Sequence, residues 1–292
     1  MSFRSFLGPA PATCDPAVET LERIDCGRYV REKVRYSVGP ETRVSAYVCV
    51  PHGLAGPVPA VFCHHQHASR FDLGKSEVVG LAGDPDQAYA HELAERGFVT
   101  IAPDAIGFEE RNWSPDGAGN VTWFELSTRL VRGETLLATC LHDISVALDH
   151  LTTRPEVDAS RIGFLGHSYG GRMALWAPAH DPRIIASVSN CGCIPFRHSY
   201  THDTGIQAEF VVPGFAARHD LEDVVAAFGR TALLISAGAA DKWSRGAEEL
   251  FAGVRRSLGD RAELALHDTG HVFTAAMRER AYRFLADRLA AR

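Results

Sequence analysis

Arg161–Gly171 reads RIGFLGHSYGG, a strand-like run leading through a glycine-flanked serine into a helix-like one. An apolar run, Arg161–Leu165, has the look of a buried strand. Tyr169–Trp176 reads as the start of a helix. Between them Gly166-His167-Ser168-Tyr169-Gly170 matches G-x-S-x-G, a pattern that carries meaning only between a strand and a helix. There the serine sits on a strained turn, its hydroxyl lifted out at a helix N-terminus, where amides and dipole favour developing negative charge. Small residues are needed at 166 and 170 because neighbouring backbone passes close to the turn. The plain alternative is a chance match of a short, glycine-rich pattern.

Working outward, strands alternate with helices. Val58–Cys63 is a buried-looking run that ends in the polar cluster His64-His65-Gln66-His67. Gln87–Arg96 reads as a helix closed by Gly97, and Phe98–Ala102 as a strand stopped by Pro103-Asp104. Thr135–Leu151 carries Leu136, Leu137, Cys140, Leu141, Ile144, Ala147 and Leu148 on one helical face. Ile184–Val188, Ala232–Ser236 and Leu264–Leu266 read as strands, and Gly246–Leu258 and Thr274–Ala291 as helices. Such alternation predicts an α/β fold with a mostly parallel sheet covered on both faces. Tyr29–Val38 and Val44–Val50, split by the turn Gly39-Pro40-Glu41, predict an antiparallel hairpin at the sheet edge. The first 25 or so residues read as an irregular lead-in with a short helix around Ala17–Ile24. Two irregular stretches, 105–133 and 192–229, read as lid-like insertions in one domain spanning residues 1–292.

A serine hydroxyl needs a base, and the base needs an orienting acid. In this topology the order is Ser, acid, His, each on a loop after a strand. Asp241 follows Ala232–Ser236, 73 residues beyond Ser168, and His271 follows Leu264–Leu266, 30 residues beyond Asp241. Both fall where ligands bind in open α/β sheets, at strand carboxyl ends. Asp220, Asp223 and Asp268 compete as acids and His267 as base. The expected oxyanion donors are the amides of Tyr169 and of Gln66, with His67 as the alternative to Gln66.

Composition narrows the partners. The chain has 292 residues, 46% hydrophobic and 23% charged, with a formal net charge of −6. That is ordinary for a globular protein and unlike a disordered one. With no basic excess to neutralise phosphates, no nucleic acid is expected. No apolar run is long enough to span a membrane. The N-terminus lacks the apolar core of a signal peptide. Seven scattered cysteines do not form a paired framework, so a cytoplasmic location is expected. His64, His65 and His67, or Cys191 and Cys193 with His198 and His202, lack metal-ligand spacing. Neither a metal nor a cofactor is expected. Phe108, Trp113, Trp123, Phe124, Phe210, Phe215 and Trp243 are expected to pack the lids onto the core, one or two of them facing substrate. Glu109, Glu110 and Arg111 are expected in a loop salt bridge or a lid contact rather than as helpers of Ser168.

The chain resembles α/β-hydrolases of the dienelactone hydrolase-like and acetyl xylan esterase-like group. The resemblance rests on PAVFCHHQHAS (59–69), ELAERGFVTIAPDAIGFEER (92–111), RPEVDASRIGFLGHSYGGRMAL (154–175), ALLISAGAAD (232–241) and TGHVF (269–273). It implies Ser168 as nucleophile, Asp241 as acid and His271 as base, and aligns Gln66 with the oxyanion position. Two positions depart from the group. Ser168 stands where true dienelactone hydrolases carry Cys, and His65 where the oxyanion loop usually has Gly. The expected activity is a cofactor-free serine hydrolase of a small-molecule carboxylic ester or lactone, acting through an acyl-enzyme. Alternatives on the same triad are a peptidase or amidase, a thioesterase and an acyltransferase. A non-catalytic binding protein fits poorly with three intact triad positions. Homo-oligomerisation is left open.

Overall fold

Strands buried on both faces need unbroken apolar runs, whereas an edge hairpin needs alternation. Both patterns appear in the computed structural model, which describes residues 3–290. Nine strands form one sheet: β1 (Glu19–Asp25), β2 (Tyr29–Gly39), β3 (Thr42–Pro51), β4 (Val58–His64), β5 (Val99–Pro103), β6 (Val157–His167), β7 (Ile184–Asn190), β8 (Ala232–Gly238) and β9 (Ala262–His267). Their order is β1-β2-β3-β5-β4-β6-β7-β8-β9. β1, β2, β3 and β5 pair antiparallel, and every pairing from β5 to β9 is parallel.

Side chains alternate across the parallel strands, and two apolar cores result. Phe62 and Phe164 stack at 4.9 Å in the core under the helix Leu136–Thr152. Val61, Cys63 and Leu165 point to the other core, under the helices Tyr89–Glu95 and Ala275–Leu289. The Leu136–Thr152 helix starts where Thr135 caps it, its hydroxyl accepting from the Ala138 amide at 3.2 Å. β4 lies between β5 and β6, so the chain leaves it in one direction and returns on the other side. At such a switch point the loops at the carboxyl ends diverge and leave a crevice.

Three local expectations need correction. Ala17–Ile24 is not helical: Glu19–Asp25 pairs with β2 from Glu19↔Arg35 to Asp25↔Val30. Its composition suits a helix, but pairing with an open edge overrides a weak propensity. All seven residues are exposed, and its charges blunt the edge. Residues 105–133 are not irregular throughout, since Thr122–Leu130 is an α-helix. Within 192–229, short helices form at Phe196–Ser199 and Leu221–Val225. The expected end of the last helix at Ala291 lies outside the described residues; the helix itself runs Ala275–Leu289.

The aromatic residues of the two insertions divide. Phe108, Phe210 and Phe215 are buried, as packing of the lids requires. Trp113, Trp123 and Phe124 are exposed and do not reach the core. Among the described residues, no helix is long and apolar enough to cross a membrane.

Candidate active site

β6 runs straight into the Tyr169–Met173 helix, and the one residue between them takes the strain. Ser168 has φ 57° and ψ −113°, a region that residues with a Cβ seldom occupy. Such a conformation costs about 1–3 kcal/mol and persists only where surroundings impose it. Here the Ser168 amide donates to the Asn190 carbonyl at the end of β7, at 2.8 Å. Crowding explains the flanking glycines. A Cβ on Gly166 would lie 2.2 Å from the Gly170 carbonyl carbon, and one on Gly170 would lie 2.1 Å from the His64 oxygen.

The loops after β8 and β9 bring Asp241 and His271 to this turn. They cross so closely that a Cβ on Gly238 would sit 2.4 Å from the Gly270 oxygen. His271 Nε2 is 2.8 Å from Ser168 Oγ, and His271 Nδ1 is 3.0 Å from Asp241 Oδ1. The Asp241 side chain is fully buried while the imidazole is partly open. Asp241 Oδ1 also accepts from the Trp243 amide at 3.0 Å, and Oδ2 from Ser244 Oγ at 2.7 Å. Burial pushes the carboxyl upward, but the hydrogen bonds and His271 outweigh it and hold it below the usual range.

The competing residues are occupied elsewhere. Asp220 and Asp223 form a capping box at the helix Leu221–Val225. Asp268 is exposed, and His267 ends β9 with Nε2 3.3 Å from Ser236 Oγ. Glu109 and Glu110 surround a buried lysine. Lys75 Nζ lies 2.8 Å from Asp104, 2.5 Å from Glu109 and 2.7 Å from Glu110, so an ammonium fills this carboxylate cluster. Arg111 pairs with Asp143 at 2.7 Å.

Gln66 follows β4, over the start of the Tyr169–Met173 helix. The first amides of any α-helix lack intrahelical acceptors, so those of Tyr169 and Gly170 are available. The Tyr169 ring itself turns inward, its hydroxyl 3.6 Å from Cys140 Sγ. The neighbouring histidines are structural. His64 Nδ1 bonds the His65 carbonyl at 3.0 Å, and His65 Nδ1 bonds the Gln66 carbonyl at 2.7 Å. His65 Nε2 accepts from the Ala105 amide at 3.1 Å. Burial pushes His64 down to about 3 and His65 and His67 down to about 4, so all three stay neutral. The Gln66 side chain donates to the Glu77 carboxylate at 3.2 Å, which ties the loop down from its other side.

A polar chain under the site escaped the sequence reading. Ser236 Oγ donates to Asn190 Oδ1 at 2.7 Å, and Asn190 Nδ2 contacts His167 Nδ1 at 2.7 Å and the Val272 carbonyl at 3.2 Å. It links β6, β7 and β8 to the residue after His271. The strand-end positions of Asn190 and Ser236 were the available signal, since polar residues in buried parallel strands need partners.

Glu209, from the second insertion, is also buried, and neither of its carboxylate oxygens has a hydrogen-bond partner among the described residues. Burial pushes it from its ordinary 4.5 up to about 7. A raised carboxyl gives its full stability below the unfolded value and loses it as pH rises through the folded one. The loss amounts to about 3 kcal/mol once both states are ionised. Glu209→Gln is therefore expected to raise Tm relative to wild type more at pH 9 than at pH 5. Melting curves that differ by the same amount at both values would contradict this.

Comparison with known proteins agrees with this architecture. The dienelactone hydrolase family matches residues 75–291. A Bacillus subtilis (strain 168) protein named "Putative hydrolase YtaP" is 27% identical over 96% of this chain and 95% of its own length. Acetyl Xylan Esterase 1 from Thermoanaerobacterium sp. JW/SL YS485 superimposes with a TM-score of 0.70 at 16% identity, covering 99% of this chain and 98% of that one. A glucuronoyl esterase from Solibacter usitatus gives 0.72 at 15% identity, covering 99% and 92%. At such identities the two structures speak for the fold alone, which is the α/β-hydrolase fold. The sequence match across most of the chain says more: this protein belongs to the dienelactone hydrolase family and is an ester hydrolase.

Proposed function

We propose that Ser168 is the nucleophile, His271 the general base and Asp241 the acid that orients it. The observation carrying this reading is the continuous relay of 2.8 Å and 3.0 Å contacts from a half-open hydroxyl to a buried carboxylate. Ser168 Oγ attacks the ester carbonyl and its proton passes to His271 Nε2. Asp241 holds the Nδ1–H and stabilises the imidazolium. The oxyanion is received by the amides of Tyr169 and Gln66. The imidazolium then protonates the leaving alcohol, and water activated by the same ring releases the acid.

Whole-chain organisation follows the same reading: one domain, with 105–133 and 192–229 as insertions over the crevice. All seven cysteines are free thiols, which suits a reducing, cytoplasmic setting. The substrate is a small ester or lactone. Ser168 opens into a tight cleft of about 20 Å³, lined by Ile194, Ile206 and Trp243 among others. Across alkyl esters of graded acyl length, with a lactone alongside, the rate is expected to fall as the acyl group outgrows this space. A preference for long acyl chains would argue against it.

The oxyanion assignment has its own test. Gly170→Ala sets a methyl group against the His64 carbonyl, with the His65 oxygen at 3.0 Å. The Gln66 loop must then move away from the helix. Losing one donor costs about 10²- to 10³-fold in kcat. The variant is expected to show that loss with its Ser168 still open to a fluorophosphonate. A near-wild-type kcat would remove Gln66 from the site.

A further inference from the structure

Arg172 lies one helical turn beyond Ser168, on the same short helix, and is 6% exposed. Its Nη1 donates to the Ile194 carbonyl at 2.6 Å. The guanidinium is packed against two rings, its carbon 4.7 Å from the centre of Phe196 and 5.2 Å from that of Phe210. Nε and Nη2 are buried and have no hydrogen-bond partner among the described residues. Asp220, the carboxylate whose charge acts on Arg172, already has both oxygens engaged. Its Oδ1 accepts from the amides of Phe196 and Leu221, and its Oδ2 from the amide and guanidinium of Arg197. A cation removed from water without a counter-charge is strongly unfavourable, so this arrangement calls for an anion.

The unused donors are the right pair for one particular anion. Nε–H and one Nη2–H project in parallel from the same edge of the guanidinium, spaced to meet two carboxylate oxygens. The same molecule uses that edge in this way at Arg70 and at Arg183. Arg70 Nε and Nη2 reach the Asp72 oxygens at 2.9 and 2.7 Å, and Arg183 Nε and Nη2 reach Asp181 at 2.9 and 2.5 Å. At Arg172 no protein carboxylate among the described residues takes the place. Arg172 and Ser168 line the same cleft, whose other walls are mainly apolar.

We propose that Arg172 is a specificity-determining residue that binds a carboxylate carried on the acyl part of the substrate. The proposal rests on the assignment of Ser168 as nucleophile. Residues four apart on a helix have Cβ atoms about 6 Å apart. With the reach of the arginine added, the carboxylate belongs roughly three to five bonds from the scissile carbonyl. Half-esters of short dicarboxylic acids meet this requirement. Gly205, Ile206 and Gln207 complete the cleft and must give way to admit the second carboxyl group.

The test compares monoethyl succinate and monoethyl glutarate with ethyl butyrate and ethyl pentanoate, followed by ethanol release. In wild type, kcat/KM for at least one half-ester is expected to exceed that for its neutral counterpart by about tenfold or more. Arg172→Gln is expected to collapse that ratio, mainly through KM, and Arg172→Lys, which keeps charge but not the paired donors, to restore part of it. Free glutarate is expected to compete with ethyl butyrate in wild type and to do so more weakly in Arg172→Gln. A wild-type ratio near one for both acids, with no inhibition by glutarate, overturns the inference even if Arg172→Gln does not fold. So does a ratio unchanged in a folded Arg172→Gln. Ser168→Ala separates the two claims: its loss of turnover on all four esters leaves the nucleophile standing while the ratios judge Arg172, whereas its retention of turnover brings both down.

Discussion

Ser168→Ala is expected to lower kcat for a simple ester by about 10⁴- to 10⁶-fold, because without a covalent nucleophile only binding and oxyanion stabilisation remain. KM is expected to change little, since the hydroxyl is small and the walls of the cleft are untouched. Fold stability is expected to hold or to rise slightly. The turn is strained whatever its side chain, but alanine removes a polar atom from a half-buried position. Initial-rate kinetics on protein free of wild-type carry-over would check this. A loss of only a few-fold would mean that the chemistry runs elsewhere.

Two substitutions at Asp241 are expected to part company. Asp241→Ala removes both the charge and the hydrogen bond that orients His271, and a loss of about 10⁴-fold in kcat follows from the acid's usual share. In other triads the Asn replacement is about as severe, because the amide selects the wrong imidazole tautomer. Here the local geometry works against that outcome. Asp241 Oδ1 accepts from both the Trp243 amide and His271 Nδ1, each at 3.0 Å. An asparagine must keep its carbonyl at this position, since its NH2 would face the Trp243 N–H. Its NH2 then meets Ser244 Oγ, which can accept as well as donate. The tautomer survives and only the charge is lost. A charge-assisted hydrogen bond contributes about 1.5–3 kcal/mol, so Asp241→Asn is expected to lose about 10²-fold. Equal losses in the two variants, measured side by side, would show that the amide turns the other way.

The convergence of Ser168, Asp241 and His271 was legible because each falls in a short motif placed after a strand. G-x-S-x-G sets the turn, and the approach of Gly170 to His64 supplies the physical need for its last glycine. Asp241 and His271 could be located because each follows an apolar strand. What lay beyond the sequence was set by neighbours rather than by local pattern. β1 reads as a helix until β2 is available to pair with it. The helix Thr122–Leu130 buries only Thr122 and Leu126 and leaves Trp123 and Phe124 exposed, so it shows no clean apolar stripe. Arg172, within GGRMAL, resembles any polar residue on a helix surface. Only the fold turns it inward beside Ser168. The His64–His67 loop is intermediate: its position after β4 could be read, whereas the use of its histidines as neutral braces could not.

The proposed chemistry rests on one side chain, Ser168. Incubation with a fluorophosphonate, followed by tryptic digestion and mass spectrometry, reads it directly. The adduct is expected on the peptide Ile162–Arg172, localised to Ser168, and is expected to disappear in Ser168→Ala. An adduct on another peptide, or one that persists in the variant, contradicts the assignment.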